Sequence, residues 1–351
     1  MVPGYRVLST QPANPRRPMN LPAPLERYDF ETAALVAAHP PRWRDPNKRL
    51  VFQIGTPAGA SQSGQVIISR WPVLPLPERL EPLRRGLAVP HPGFYSYTPA
   101  LDPARGACEW HLNFADPHLF GAYGSSLLAQ DELQVLEHPA LGSLRGALDA
   151  MGRPMPTFSR AGPTPVLVSG VERRLFFDTA PNPARGYGTL YGNAFAQAPA
   201  AAVRAATQRI NPPTISNILA IAAPSGGAGH YYQAAEIELI LATAYSGFAL
   251  ARAEGARLRG PEAPSVVHSG YWGCGAFGGN RVLMVLLQMI AAANAGLERL
   301  VLHTGSPGGS APAETAAQYL AELTAGRVIE TSRLIAQLAA ARFAWGVSDG
   351  N

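Results

Sequence analysis

Apolar positions change their spacing near residue 95, and a soft boundary is placed there. Beyond it, short apolar runs at residues 108–114, 165–169, 217–222, 265–269 and 300–304 have the length of buried strands. Helical spacing fills the intervals at 127–137, 233–253 and 280–295. Strands alternating with helices predict an α/β domain over residues 96–351, with a mixed β-sheet flanked by helices on both faces. Two further helices are expected at 312–323 and 327–343. In the second, Val328, Ile335, Leu338 and Arg342 mark a face that docks on the body.

Residues 1–95 read differently. Residues 1–24 are rich in proline and polar groups and predict an extended arm. A short helix is expected at 28–38, with Asp29 and Glu31 suited to its first turn. Runs at 50–54 and 65–69 read as the two strands of a β-hairpin, and the proline-rich stretch 71–92 reads as irregular structure. Residues 1–95 are therefore expected to form an N-terminal accessory region. No internal repeat is apparent.

The chain is 351 residues long, enough for a large buried core, and no uninterrupted apolar run approaches a membrane span. A soluble, cytoplasmic protein is expected, because the start lacks a secretory pattern. Cys108 and Cys274 are too few for a disulfide framework, and no Cys/His spacing predicts a metal site. The formal charge is +5 from a charged fraction of only 15%, with Arg dominant. Such a surface is either simply solvated or attracts an anionic substrate. No basic run marks a dedicated nucleic-acid binder.

The segment Tyr271-Trp-Gly-Cys-Gly-Ala-Phe-Gly-Gly-Asn280 carries the strongest local signal. Glycines between a strand and a helix let backbone N–H groups converge on an anion, and the helix dipole favours negative charge there. Gly273, Gly275 and Gly278 spell G-x-G-x-x-G, but the next strand ends at His303-Thr304 without an acidic ribose-binding residue. A nicotinamide enzyme is therefore disfavoured. The plainer alternative is that the glycines permit a tight turn and close helix–sheet packing.

Trp272-Gly-Cys-Gly-Ala-Phe-Gly-Gly279 and its following apolar helix closely resemble the poly(ADP-ribose) glycohydrolase family. Upstream, Asn113-Phe-Ala-Asp116, Phe120-Gly-Ala122 and Gln130-Asp-Glu132 resemble that family's Asp-Phe-Ala-Asn, Gly-Gly-Gly and Gln-Glu-Glu segments. Gly186-Tyr-Gly-Thr-Leu-Tyr191 resembles a segment whose tyrosines line the ligand cleft. The resemblance covers about residues 100–345. It implies a macrodomain-like fold and hydrolysis of the ribose–ribose O-glycosidic bond of poly(ADP-ribose) or a related ADP-ribosyl conjugate. It implies no metal and no organic cofactor.

On this resemblance Glu132 is the general acid, and Asp131 hydrogen bonds ribose hydroxyls near the scissile bond. A glycosidic oxygen must be protonated as it leaves, so Glu132 needs a pKa above the usual value of about 4.3. Asp131 is no partner carboxylate across the bond, since adjacent helical residues do not face one another. Gln130 orients the pair. Asn113, Asp116 and Gly121 contact the substrate, with amide and carboxylate exchanged at Asn113 and Asp116. Tyr187 and Tyr191 are candidates to cover the adenosine, Gly273, Gly275, Ala276 and Gly278 to hold the pyrophosphate, and Phe277 to pack on adenine or ribose. Phe120 either folds into the core or narrows the channel. Cys274 has no neighbouring base and is no nucleophile. Two functions follow: a glycohydrolase, or a non-catalytic ADP-ribose-binding module whose catalytic loop has diverged. The partner is ADP-ribose or its polymer, free or on a modified protein, and no membrane.

Overall fold

The computed structural model describes residues 21–305 and 307–350, so most of the expected arm at 1–24 lies outside the described residues. The chain opens with β1 (Glu26–Glu31), α1 (Thr32–Ala38) and α2 (Pro46–Gly55). Strands β2 (Gln65–Arg70), β3 (Arg79–Leu80), β4 (Ala88–His91) and β5 (Cys108–Ala115) follow. Next come α3 (Gln130–Glu137), α4 (Ala140–Ala150), β6 (Phe158–Ser159), β7 (Gly162–Pro163), β8 (Val166–Phe177), α5 (Ala200–Ala206) and β9 (Thr207–Ala222). The last part runs α6 (Ala234–Arg259), β10 (Ser265–Gly270), α7 (Arg281–Ala295), β11 (Arg299–His303), α8 (Ala311–Thr324), β12 (Ile329–Glu330) and α9 (Thr331–Ala340).

Eight strands form one sheet in the order β1-β2-β8-β9-β5-β10-β11-β4. The pairs among β1, β2, β8 and β9 are antiparallel, and those from β9 through β5, β10 and β11 to β4 are parallel. The mixed α/β architecture expected from the spacing is therefore present. Period-two alternation explains its three layers. In β9, Leu219 and Ile221 enter one core with α6 and α7, while Ile218 and Ala220 enter the other with α3 and α4. Helix α6 is apolar and long enough to cross a membrane, but most of its apolar window is buried within the protein.

Two expectations for residues 1–95 are corrected. Residues 50–54 are not a strand of a hairpin but part of α2, which Asp45 caps by accepting from the Lys48 N–H, with Pro46 in its first turn. That capping pair is a helix-start signal, and it outweighs the short apolar run. Residues 28–31 belong to β1 and only 32–38 are helical, because Glu31 caps α1 from outside. The expected boundary near residue 95 falls between strands of one sheet: β1 and β2 form one edge, and β4 the other. At the far end, Ile335 and Leu338 are buried as expected, whereas Val328 is exposed and Arg342 lies past α9 over the Tyr231 ring.

Candidate active site

Strands β9, β5, β10 and β11 run parallel, so the loops after their carboxyl ends gather at one end of the sheet. Crevices of open α/β sheets that bind ligands lie there. The loop after β10 returns on itself through backbone bonds from Cys274 to Tyr271, Gly278 to Gly275 and Gly279 to Gly273. Gly273 and Gly278 have φ of 74° and 66°, a region that disfavours side chains. A Cβ on Gly273 would also come within 2.5 Å of Ala223. The N–H groups of Gly275, Ala276 and Phe277 take no part in those internal bonds. Helix α7 begins immediately behind, with Asn280 Oδ1 accepting from the N–H groups of Val282 and Leu283.

Opposite this loop stands the start of α3. Gln130 splints it to β5: its Oε1 accepts from Phe114 N–H (2.7 Å) and its Nε2 donates to Leu112 O (2.9 Å). Asn113 is fully buried and donates from Nδ2 to Asp131 Oδ1 (2.9 Å), so the exchanged amide serves the carboxyl pair. Glu132 Oε2 accepts from Ala129 N–H (3.0 Å), capping the helix.

Glu132, Asp131, Gln130, Asp116, Ala122, Tyr191, Gly273, Gly275, Ala276 and Phe277 line one cavity of about 240 Å³. An adjoining lobe of about 310 Å³ shares Phe114, Gln130, Tyr191 and Gly275 with it and continues past Tyr95, Tyr97 and His303. Burial pushes both carboxyls above the usual range: Asp131 rises to about 8, helped by the charge of Glu132. Glu132 also rises through burial, opposed by its helix-cap bonds and by Lys48. Burial lowers the imidazole of His303 to about 3, so the second lobe is neutral there.

Other expected residues fall outside the cavity. Gly278 is buried and closes the loop, where a Cβ would lie 2.8 Å from Gly346 O. Tyr187 packs against the core around α3 and α4 and donates to Ala194 O (3.0 Å), so it covers nothing in the cleft. Gly121 lines a separate groove. Phe120 adopts φ 53° and its ring is fully buried, so it does not narrow the channel. Trp272 also lines the cavity, but it is buried in the core and donates to Ile221 O (3.0 Å). Burial pushes the Cys274 thiol up to about 12, which makes it a poor nucleophile.

Two residues were missed from the sequence. Lys48, on α2, is fully buried and donates from Nζ to Tyr123 O (2.7 Å) and Leu127 O (2.5 Å). It pins the loop between β5 and α3, and its charge reaches Glu132 and Asp131. The available signal was composition, because Lys48 is the only lysine among the 29 basic residues. The second is Asp349. The tail crosses the glycine loop through Gly346 N–H to Gly278 O (2.7 Å) and Asp349 N–H to Gly275 O (3.4 Å). Its carboxylate lies beside Gly275, 3.1 Å from where a Cβ would stand, and lines both lobes.

Residues 185–306 match the family model described as poly(ADP-ribose) glycohydrolase, macro domain fold. That segment contains Tyr191 and the glycine loop, whereas Asn113, Asp116 and Gln130–Glu132 precede it. No curated protein matches the chain. Among solved structures, poly(ADP-ribose) glycohydrolase from Thermomonospora curvata is similar at 18% identity, covering 83% of this chain and 85% of that one, with a TM-score of 0.41. The enzyme from Deinococcus radiodurans in complex with ADP-ribose is similar at 14% identity over 83% and 95%, with a TM-score of 0.39. Residues 185–306, which carry Tyr191 and the glycine loop, are thus similar to the poly(ADP-ribose) glycohydrolase family, and the mixed sheet flanked by helices is a macrodomain-like fold.

Proposed function

We propose that this protein hydrolyses the ribose–ribose O-glycosidic bond of poly(ADP-ribose) or a related ADP-ribosyl conjugate, with Glu132 as general acid. The observation that carries the reading is the shared cavity: Glu132 and Gly273, Gly275, Ala276 and Phe277 of the glycine loop line the same space of about 240 Å³. With the pyrophosphate on the glycine loop, the neighbouring ribose lies toward α3. The wall of the second lobe formed by Phe94, Tyr95 and a neutral His303 suits a flat uncharged base.

In the reaction Glu132 gives its proton to the glycosidic oxygen as the bond to the anomeric carbon breaks, and the bonding pair leaves with that oxygen. Positive charge develops on the anomeric carbon and ring oxygen. Water adds there, and its proton returns to the Glu132 carboxylate. Asp131, held by Asn113, orients ribose hydroxyls. Exclusion of water by bound substrate, together with the substrate's negative charge, raises Glu132 further and keeps it protonated.

The test is release of ADP-ribose from the polymer. Glu132→Gln is expected to lower the rate about a thousandfold while ADP-ribose still raises the melting temperature. Intact polymer with wild-type protein that nevertheless binds ADP-ribose would replace this reading with the binding module. One observation favours that second reading. The cap bond to Ala129 and the charge of Lys48 both favour an ionised Glu132.

A further inference from the structure

Behind the loop that joins β5 to α3 lies a second, larger cavity of about 610 Å³, which shares no wall residue with the cleft. The loop is the partition: Ala122 faces the cleft, while Gly121, Tyr123 and Gly124 line the groove. Small residues, Ala38, Gly146 and Ala150 among them, keep it open. Its charged rim consists of Arg42, Arg44, Arg145 and Asp149.

These charges do not cancel. Arg145 pairs with Asp149 through Nε to Oδ2 (3.0 Å) and also donates to Leu119 O (3.0 Å). Arg42 and Arg44 are exposed, and among the described residues neither guanidinium has an ion-pair partner. Their backbones are fixed to the partition: Arg42 N–H donates to Tyr123 Oη (2.7 Å) and Arg44 N–H to Gly124 O (3.0 Å). The backbones that carry two unneutralised guanidiniums are therefore fixed relative to the loop that carries the site.

We propose that this groove binds the pyrophosphate of the next ADP-ribose unit, on the leaving-group side of the scissile bond. The inference rests on the function proposed above, and it makes a chain of at least two units the preferred substrate. If the glycine loop holds the pyrophosphate of the unit being released, the next pyrophosphate lies beyond the scissile bond. In this proposal the substrate chain passes over the partition, whose Ala122 lines the cleft and whose Gly121 and Tyr123 line the groove. A pyrophosphate diester carries two negative charges, and Arg42 and Arg44 supply two positive ones. Guanidinium groups suit phosphate because their donors match its oxygens in pairs.

The experiment compares ADP-ribose with a two-unit ADP-ribose oligomer by calorimetry, in the Glu132→Gln background so that the oligomer stays intact. The oligomer is expected to bind about tenfold more tightly, an advantage that shrinks with added salt because the arginines are exposed. Adding Arg42→Ala and Arg44→Ala together removes the advantage and leaves ADP-ribose affinity unchanged, which also shows that the variant is folded. Equal affinity for the two ligands in the parent, or an advantage that survives the double substitution, overturns the groove while leaving the cleft reading intact. If neither ligand binds, the cleft reading fails and the groove assignment falls with it.

Discussion

Replacing Lys48 with Met separates the two things this residue does. Its ammonium supplies two donors to buried carbonyls, those of Tyr123 and Leu127. Leaving them unpaired costs about 1–3 kcal/mol each. Against this, burial lowers the Lys48 amine from 10.5 to about 8, a penalty on the charged form of roughly 3 kcal/mol that methionine does not incur. The opposing terms nearly cancel, so the net loss is about 1–2 kcal/mol, a fall in melting temperature of about 2–4 °C in a chain of this size. The local effect does not cancel. Without the nearby positive charge, the carboxyls of Glu132 and Asp131 both rise further. The alkaline limb of kcat/KM for ADP-ribose release should therefore move to higher pH. At the same time kcat falls, because the loop carrying Ala122 loses its anchor. Lys48→Gln keeps donor groups without the charge, so it should recover part of kcat while the limb stays shifted. A Met variant with wild-type kcat and an unmoved alkaline limb would refute the reasoning, whatever its melting temperature.

Asp131→Asn tests the burial of the carboxyl pair. The pKa of Asp131 rises from 3.8 to about 8 on folding, so the folded protein keeps a proton that the unfolded chain releases, and stability declines as pH rises through that window. The amide removes this term. Melting temperatures of variant and wild type should therefore differ most near pH 8, with the variant higher, and converge near pH 4; a difference that is constant with pH would contradict the assignment. Phe120→Gly relieves a left-handed backbone by about 1 kcal/mol but empties the space of a fully buried ring, at about 3–5 kcal/mol. Chemical denaturation should show a net loss of about 2–4 kcal/mol, and a stabilised variant would mean that the ring does not fill that space.

The α/β architecture was legible because strands buried on both faces are short apolar runs, and those at 108–114 and 265–269 lie within β5 and β10. The glycine loop was legible for a local reason too, since positive φ and close approach restrict Gly273 and Gly278 to one residue type. Residues 50–54 misled because five apolar-rich residues do not separate strand from helix, and the deciding signal was Asp45-Pro46, just upstream. The candidate site was legible only where it is local. Tyr187 and Tyr191 share one segment, yet the chain turns between them, and only Tyr191 reaches the cleft. Lys48 and Asp349 come from distant ends of the sequence, and no spacing rule links either to residues 130–132 or 273–278.

The placement of β4 has a consequence for how the molecule is assembled. Ala88 pairs with Leu300 and His91 with His303, so a strand made early completes the sheet only against one made late. Loop closure over so long a separation is entropically costly and slows folding. Until β11 exists, the Ala88–His91 segment has no native neighbour in the sheet, and Pro90 removes one of its own backbone donors. The outer edge beyond the glycine loop is therefore the last part of the sheet to close as the chain is synthesised. Disrupting β4 would be expected to lower the yield of folded protein before it changed the chemistry of a molecule that had folded.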